Sequence, residues 1–254
     1  MKLLDVAVSA AQKAGRIIDG YFEESIEREV KDDKSFVTKA DREAEAAIIA
    51  EIRKHFPKHG ILGEESGVHK SDSRFEWVID PLDGTANFLN GIPLFAVSIA
   101  VLENGIPVAA CVYQPVGDSL YAAAKGAGTT WKGKQVHVSA TGADHAVISF
   151  SPGKKEKERL NSLFSRTEDF VKSKRYLGCA ALDLSYLARG GTEGVFMMGL
   201  QKWDYAAGVL LVEEAGGTIT DLNGQPWIFG TGDYFLASNG IVHGALLALA
   251  KTAA

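Results

Sequence analysis

The sequence predicts a mixed α/β fold built of stacked helical and sheet layers, and three observations predict it. The first segment places apolar residues at helical spacing. The stretch from Leu94 to Trp131 reads as an antiparallel meander, and helix-like and strand-like segments then alternate toward the C-terminus. This intermixing fits layered α and β elements and not a simple doubly wound parallel sheet.

Leu3, Val6, Ala7, Ala10, Ala14, Ile17 and Ile18 give the first helix one apolar face. A second helix is expected from about Thr38 to Phe56, with Thr38 as N-cap, Asp41 in the first turn and Pro57 as the stop. A short strand at Ile61-Leu62 leads into Gly63-Glu64-Glu65-Ser66, and Phe75 to Ile79 reads as a strand ending on Asp80. Phe95 to Val101 and Val108 to Tyr113 flank the turn Glu103-Asn104-Gly105, and a strand around Leu120 to Ala123 follows Gly117-Asp118. Lys154 to Arg159 is a solvated charge run at the start of a helix. Ala180 to Arg189 and Trp203 to Ala215 read as helices around a short strand at Val195-Phe196. Gly216-Gly217 closes the second of these, and strands near Ile219 and Phe235-Leu236 precede a terminal helix.

At 254 residues the chain suits one or two domains with a large core. Its 46% hydrophobic and 23% charged residues argue against disorder. The 27 Lys and Arg against 32 Asp and Glu leave a net charge of −5, which disfavours nucleic acid as a partner. It hints instead at cations, or at anions carried in by cations. Two cysteines, Cys111 and Cys179, cannot form a disulfide framework and read as reduced, buried thiols. Asp5, Gln12, Lys13 and Arg16 interrupt the apolar N-terminus before a signal-peptide core is complete. No run approaches the ~18 apolar residues of a membrane span. A soluble, cytoplasmic protein without membrane partners is expected.

The chemistry concentrates in Asp80-Pro81-Leu82-Asp83-Gly84-Thr85-Ala86-Asn87-Phe88. A strand delivers Asp80, Pro81 stiffens the turn, and Asp83 lies close enough for both carboxylates to face one point. Gly84 permits close backbone approach, and Thr85 opens a short helix whose N–H groups favour an anion. Carboxylates beside an anion cradle make sense if divalent cations bridge them to a phosphate. Asp83-Gly84 alone would read as a turn; the whole string is far more specific.

With this string the chain resembles the inositol monophosphatase family of lithium-sensitive, magnesium-dependent phosphatases. Val37-Thr38-Lys39-Ala40-Asp41, Gly63-Glu64-Glu65-Ser66, Asp80 to Phe88, and Trp203 to Gly208 with Glu214-Ala215-Gly216-Gly217 match that family's motifs in order. The resemblance spans almost the whole chain and implies a layered αβαβα sandwich of the inositol monophosphatase/fructose bisphosphatase type, and a homodimer. It implies that Glu64, Asp80 and the carbonyl of Leu82 hold a first Mg²⁺ and that Asp80, Asp83 and Asp204 hold a second. A third, weaker ion would be held by Glu64 through water. Thr85 and Asp41 would orient and help deprotonate the attacking water, with phosphate on the N–H groups of Gly84, Thr85 and Ala86. The region 1–140 would carry most ligands, and 141–254 would supply Asp204 and the alcohol side, including Gly178, Cys179 and Ala180.

Simpler roles stand beside these. Glu64-Glu65 could be a solvated acidic pair, Asp204 a helix N-cap, and Asp41 a favourable first-turn acid. Lys31 matches a family lysine near the metal pocket or is a solvated loop residue. His55 and His59 read as surface residues, because Pro57 interrupts any helical metal face. Cys179 has no local group to activate it.

One departure bears on substrate. Many inositol-directed members carry a glutamate seven residues before the late aspartate, where it accepts hydrogen bonds from ring hydroxyls; here Met197 stands there. A thioether cannot replace a carboxylate as polyol acceptor. Inositol 1-phosphate is the default substrate. Histidinol phosphate, fructose 1,6-bisphosphate, adenosine 3′,5′-bisphosphate and NADP are alternatives, and a regulatory binding protein on this fold is the reading from another class.

Overall fold

The computed structural model describes residues 2–22, 28–30 and 36–251, so Lys31 lies outside the described residues. Helix α1 (Leu3–Tyr21) buries Val6, Ala7, Ala10, Ala14 and Ile18 along one face. After a two-stranded ladder of β1 (Arg28–Val30) and β2 (Phe36–Thr38), α2 (Lys39–His55) packs against α1. Thr38 caps α2 as expected, its hydroxyl oxygen accepting the N–H of Ala40 at 3.1 Å.

An eight-stranded sheet follows. It comprises β3 (Gly60–Gly63), β4 (Gly67–His69) and β5 (Phe75–Asp83), then, beyond the one-turn helix α3 (Thr85–Leu89), β6 (Ala96–Glu103), β7 (Ile106–Gln114), β8 (Ser119–Ala124), β9 (Gly128–Trp131) and β10 (Lys134–Val136). The strand order is β10-β9-β8-β7-β6-β5-β3-β4, antiparallel except where β3 runs parallel to β5. The meander read from Leu94 to Trp131 is the centre of this sheet.

The remaining described residues build a second, five-stranded sheet and four α-helices: β11 (Val147–Pro152), α4 (Lys157–Arg166), β12 (Ser173–Arg175), α5 (Ala180–Ala188), β13 (Gly194–Met198), α6 (Lys202–Glu214), β14 (Thr218–Thr220), β15 (Tyr234–Ser238) and α7 (His243–Lys251). Its order is β12-β11-β13-β15-β14.

Strand alternation sets the layers. In β5 and β6, Trp77, Ile79, Val97, Ile99 and Val101 pack toward α1 and α2, while Val78, Ala96 and Ala100 pack toward α5 and α6. In β13, Val195 and Met197 face α5 and α6, while Phe196 and Met198 face α4 and α7. The result is the expected αβαβα order: α1/α2, large sheet, α5/α6, small sheet, α4/α7. Gly208 in α6 permits the close contact with α5, since a Cβ there would lie 2.5 Å from Leu184.

Helix α4 starts at Lys157, within the charge run, as expected. Two local features differ from the sequence expectations. Strand β11 has no apolar-run signature because Ser149 and Ser151 alternate with Ile148 and Phe150, and the Ser151 hydroxyl donates to buried Asp183. His59 is half-buried, stacked on Phe56 and Phe75, with Nδ1 accepting the Trp77 indole N–H at 3.1 Å. The ring therefore lies against Phe75 and Trp77 of β5 and is not a surface residue.

Candidate metal and phosphate site

The site forms where β5 leaves the large sheet. The β5–β6 ladder pairs Asp80 with Ser98 and Asp83 with Ala96, so β5 carries an irregularity between its two aspartates. Such a bulge re-aims side chains at a strand end. Asp80 is buried, and its Oδ1 accepts the N–H of Leu82 at 2.9 Å, which closes the Pro81 turn.

Gly84 then adopts φ +90°, and a Cβ there would fall 2.7 Å from the Leu94 carbonyl oxygen and 3.3 Å from Cys179 Cβ. Only glycine fits that backbone and that gap. Helix α3 begins at Thr85, with its first ladder bond from Phe88 N–H to the Gly84 carbonyl at 3.0 Å. The amides of Thr85 and Ala86 therefore precede that ladder.

Asp83 reaches across to the second half of the chain. Its Oδ2 accepts the Ala181 N–H at 2.6 Å, in the first turn of α5, and the Cys179 thiol at 3.2 Å. Asp204 is not the N-cap of α6, a position Gln201 holds; it stands at the third helical position, where its carboxylate accepts the Gln201 N–H at 2.7 Å. One carboxylate oxygen from each of Asp80, Asp83 and Asp204 lies within 4.8 Å of the others. Glu64 borders the group: its N–H donates to the Ile79 carbonyl at 3.2 Å, and its charge acts on Asp80.

Burial, with crowding added to it, shifts the three aspartates upward. Burial pushes Asp80 well above the usual carboxylate range, and Glu64, Asp83 and Asp204 add to it. Burial lifts Asp83 to about 6 against the opposing bonds from Ala181 and Cys179. Asp204 is raised well above its ordinary value by burial and then by Asp83, with Lys154 opposing. Four acids packed without matching cations repel one another. The donor set is hard oxygen, the type a Mg²⁺-like ion takes, with neither histidine nor cysteine sulfur in it. Burial raises the Cys179 thiol well above its ordinary value, and it donates to Asp83 as a neutral group.

Asp41 serves two roles. Its Oδ2 accepts the N–H and hydroxyl of Thr38 at 2.7 and 2.6 Å, which is the first-turn role. Its Oδ1 faces the Thr85 hydroxyl at 3.5 Å, while that hydroxyl also donates to the Leu82 carbonyl at 3.1 Å. Burial raises Asp41 to about 6. Asp41, Glu64, Asp80, Leu82, Asp83, Gly84, Thr85, Ala86 and Asp204 are thus brought together around one end of β5.

The expected alcohol-side residues divide. Gly178 is exposed beside Asn87, whereas Cys179 and Ala180 are buried behind Asp83. Met197 is fully buried in the core against α5 and α6, because strand alternation turns it inward, and it offers no exposed surface to a ligand.

Sequence reasoning missed three contributors. The Ala181 amide is a backbone partner without side-chain signature. Asn87 donates through Nδ2 to the carbonyls of Leu94 and Leu177 at 2.7 and 2.8 Å, which ties the two halves of the site together. It stands inside the quoted string but received no role. Glu45 lies one helical turn beyond Asp41 on α2, a spacing that could have found it.

Comparison with known proteins agrees with this geometry. A family model described as "Inositol monophosphatase family" matches residues 1–253. The chain is 42% identical over 257 residues to "Nus factor SuhB" of Salmonella typhimurium, covering 97% of this chain and 94% of that protein. It is 40% identical over 256 residues to "Inositol-1-monophosphatase" of Mesorhizobium japonicum, covering 98% and 96%. The crystal structure of extragenic suppressor protein suhB from Bartonella henselae superposes with a TM-score of 0.93 at 38% identity, covering 98% of each chain. Motifs, layers and acid cluster converge with these matches: the chain belongs to the inositol monophosphatase family, a family of phosphatases.

Proposed function

We propose that this protein is a Mg²⁺-dependent phosphomonoesterase acting on a small polyol or sugar phosphate, with inositol 1-phosphate as the default substrate. The observation that carries the proposal is the convergence of Asp80, Asp83 and Asp204 oxygens within 4.8 Å, beside Glu64. Glu64, Asp80 and the Leu82 carbonyl would hold one ion; Asp80, Asp83 and Asp204 would hold a second, and Glu64 a third through water. Bound cations supply water activation and stabilisation of the leaving alkoxide.

The chain's own residues do the rest. Thr85 accepts a hydrogen bond from the attacking water and passes its hydroxyl proton toward Asp41 Oδ1, which is ionised above about pH 6. The amides of Gly84, Thr85 and Ala86 orient the phosphate, and Gly178 borders the alcohol side. Region 1–140 contributes Asp41, Glu64, Asp80 and Asp83, and region 141–254 contributes Asp204 and the amide that steadies Asp83. A homodimer in the cytoplasm is part of this reading, and no helix among the described residues is long and apolar enough to cross a membrane.

With Met197 buried, the carboxylate contact to ring hydroxyls is missing from its usual place, which keeps other phosphate esters in play. Specificity constants for inositol 1-phosphate, histidinol phosphate, fructose 1,6-bisphosphate, adenosine 3′,5′-bisphosphate and NADP test the substrate. The default fails if any other ester is preferred over inositol 1-phosphate. The name "Nus factor SuhB" carried by relatives supports a second reading, a regulatory factor on the same fold. A stable complex that survives Asp83→Asn would favour it.

A further inference from the structure

Glu45 is a buried carboxylate on α2 that the reaction above does not use; it is 3% exposed. Its Oε2 accepts the N–H of Glu65 at 2.9 Å, and its Oε1 accepts the N–H of Ser66 at 2.7 Å. The loop is moulded to it. At Gly63 a Cβ would lie 2.7 Å from Glu45 Oε2 and 2.9 Å from its Cδ, so the carboxylate occupies the space that the missing side chain leaves. Glu64 stands between Gly63 and Glu65, and its own N–H is bonded to Ile79, the residue before Asp80. The backbone of Glu64 is therefore fastened to β5 on one side and to Glu45 on the other.

From this geometry we infer that Glu45 is a positioning residue for the cation site: its carboxylate holds the Gly63–Ser66 backbone so that Glu64 faces Asp80, Asp83 and Asp204. The inference rests on the cation-site reading above and adds a residue to it. An ionised carboxylate offers acceptors to both N–H groups, whereas a glutamine must turn an NH₂ toward one of them. Glu45→Gln therefore releases one end of the loop with almost no change in volume. Glu45 and Asp41 share one helix, so α2 sets the Thr85-facing acid and, through Glu45, the Glu64 ligand from a single rigid element.

The test is Mn²⁺ binding to the full chain, followed by electron paramagnetic resonance without substrate, with amide hydrogen exchange at Glu65 and Ser66 alongside. Wild type should bind Mn²⁺. Glu45→Gln should bind about 10- to 100-fold more weakly, the range for partners that orient a metal ligand, and should lose exchange protection at one of the two amides. Because Glu45 acts through Glu64, the double variant Glu45→Gln/Glu64→Gln should bind no more weakly than Glu64→Gln alone. A purely structural role would instead make the two effects additive. Should Glu45→Gln fail to fold, Gly63→Ala displaces the same carboxylate and should weaken Mn²⁺ to the same degree. Wild-type affinity in the folded variant, or additivity with Glu64→Gln, overturns the inference while leaving the cation site standing. Absence of Mn²⁺ binding by wild type overturns the cation site, and the inference with it.

Discussion

Gly84→Ala adds one methyl group at the point where the acidic turn, the Leu94 segment and α5 meet. Two costs can be worked from the geometry. The backbone at φ +90° lies in the left-handed region, where a non-glycine residue costs roughly 1–2 kcal/mol. The new Cβ would also lie 2.7 Å from the Leu94 carbonyl oxygen and 3.2 Å from Phe95 Cα, both backbone atoms in a packed region, and overpacking of that kind costs about 1–3 kcal/mol. The expected total is about 2–5 kcal/mol. Relief would move the Leu94 carbonyl, which also accepts from Asn87 at 2.7 Å, so the phosphate-facing turn should lose its geometry as well. Gly91→Ala separates the two costs. Gly91 has φ +67° with nothing within 4 Å of its would-be Cβ, so only the backbone cost of about 1–2 kcal/mol applies. Urea unfolding at 25 °C, run with EDTA and then with Mg²⁺, measures both variants, and phosphate release reports the site. Equal destabilisation of the two variants, or full activity in Gly84→Ala, would refute the claim that this glycine is required by close approach.

Three further outcomes are expected. Asn87→Ala orphans the carbonyls of Leu94 and Leu177 and should cost on the order of 2–4 kcal/mol in urea unfolding while lowering kcat/KM; a change below about 0.5 kcal/mol would contradict the bridging role. In metal-free protein, Asp41 is raised from 3.8 to about 6, so it binds its proton more tightly folded than unfolded. Its contribution to stability is fully present below about pH 3.8 and is lost as pH rises through about 6, a fall of about 3 kcal/mol. The stability difference between wild type and Asp41→Asn, measured by denaturant unfolding in EDTA from pH 4 to 7.5, should follow that fall, and a flat difference would count against it. Asp83→Asn should lower kcat/KM by at least about 100-fold through loss of a metal ligand, and an unchanged value would remove Asp83 from the ligand set.

Much of the fold was legible because it rests on local pattern. The face of α1, the Thr38 cap and the apolar runs of β6 and β7 are each written within a few consecutive residues. Strand β11 was not, since Ser149 and Ser151 face buried Asp183 and break the apolar run that marks an interior strand. The acidic turn was legible because Asp80, Asp83 and Gly84 are neighbours in the chain. Glu64 and Asp204 were found only through the resemblance, because nothing in their local spacing says that they meet Asp80. The Ala181 amide on Asp83 acts across 98 residues and is backbone, so no residue type marks it. Met197 was read from the sequence as a departure from the family pattern; its direction depended on which face of β13 packs against α5 and α6, and the inward face won.

The central claim is that the acids around β5 hold divalent cations for phosphomonoester hydrolysis. The most direct measurement is phosphate release from inositol 1-phosphate by EDTA-stripped protein during a Mg²⁺ titration. The account predicts no release without the ion, saturable recovery as Mg²⁺ is added, and no comparable recovery in Asp83→Asn. Release at the full rate in EDTA, or a Mg²⁺ response that Asp83→Asn retains unchanged, would contradict it.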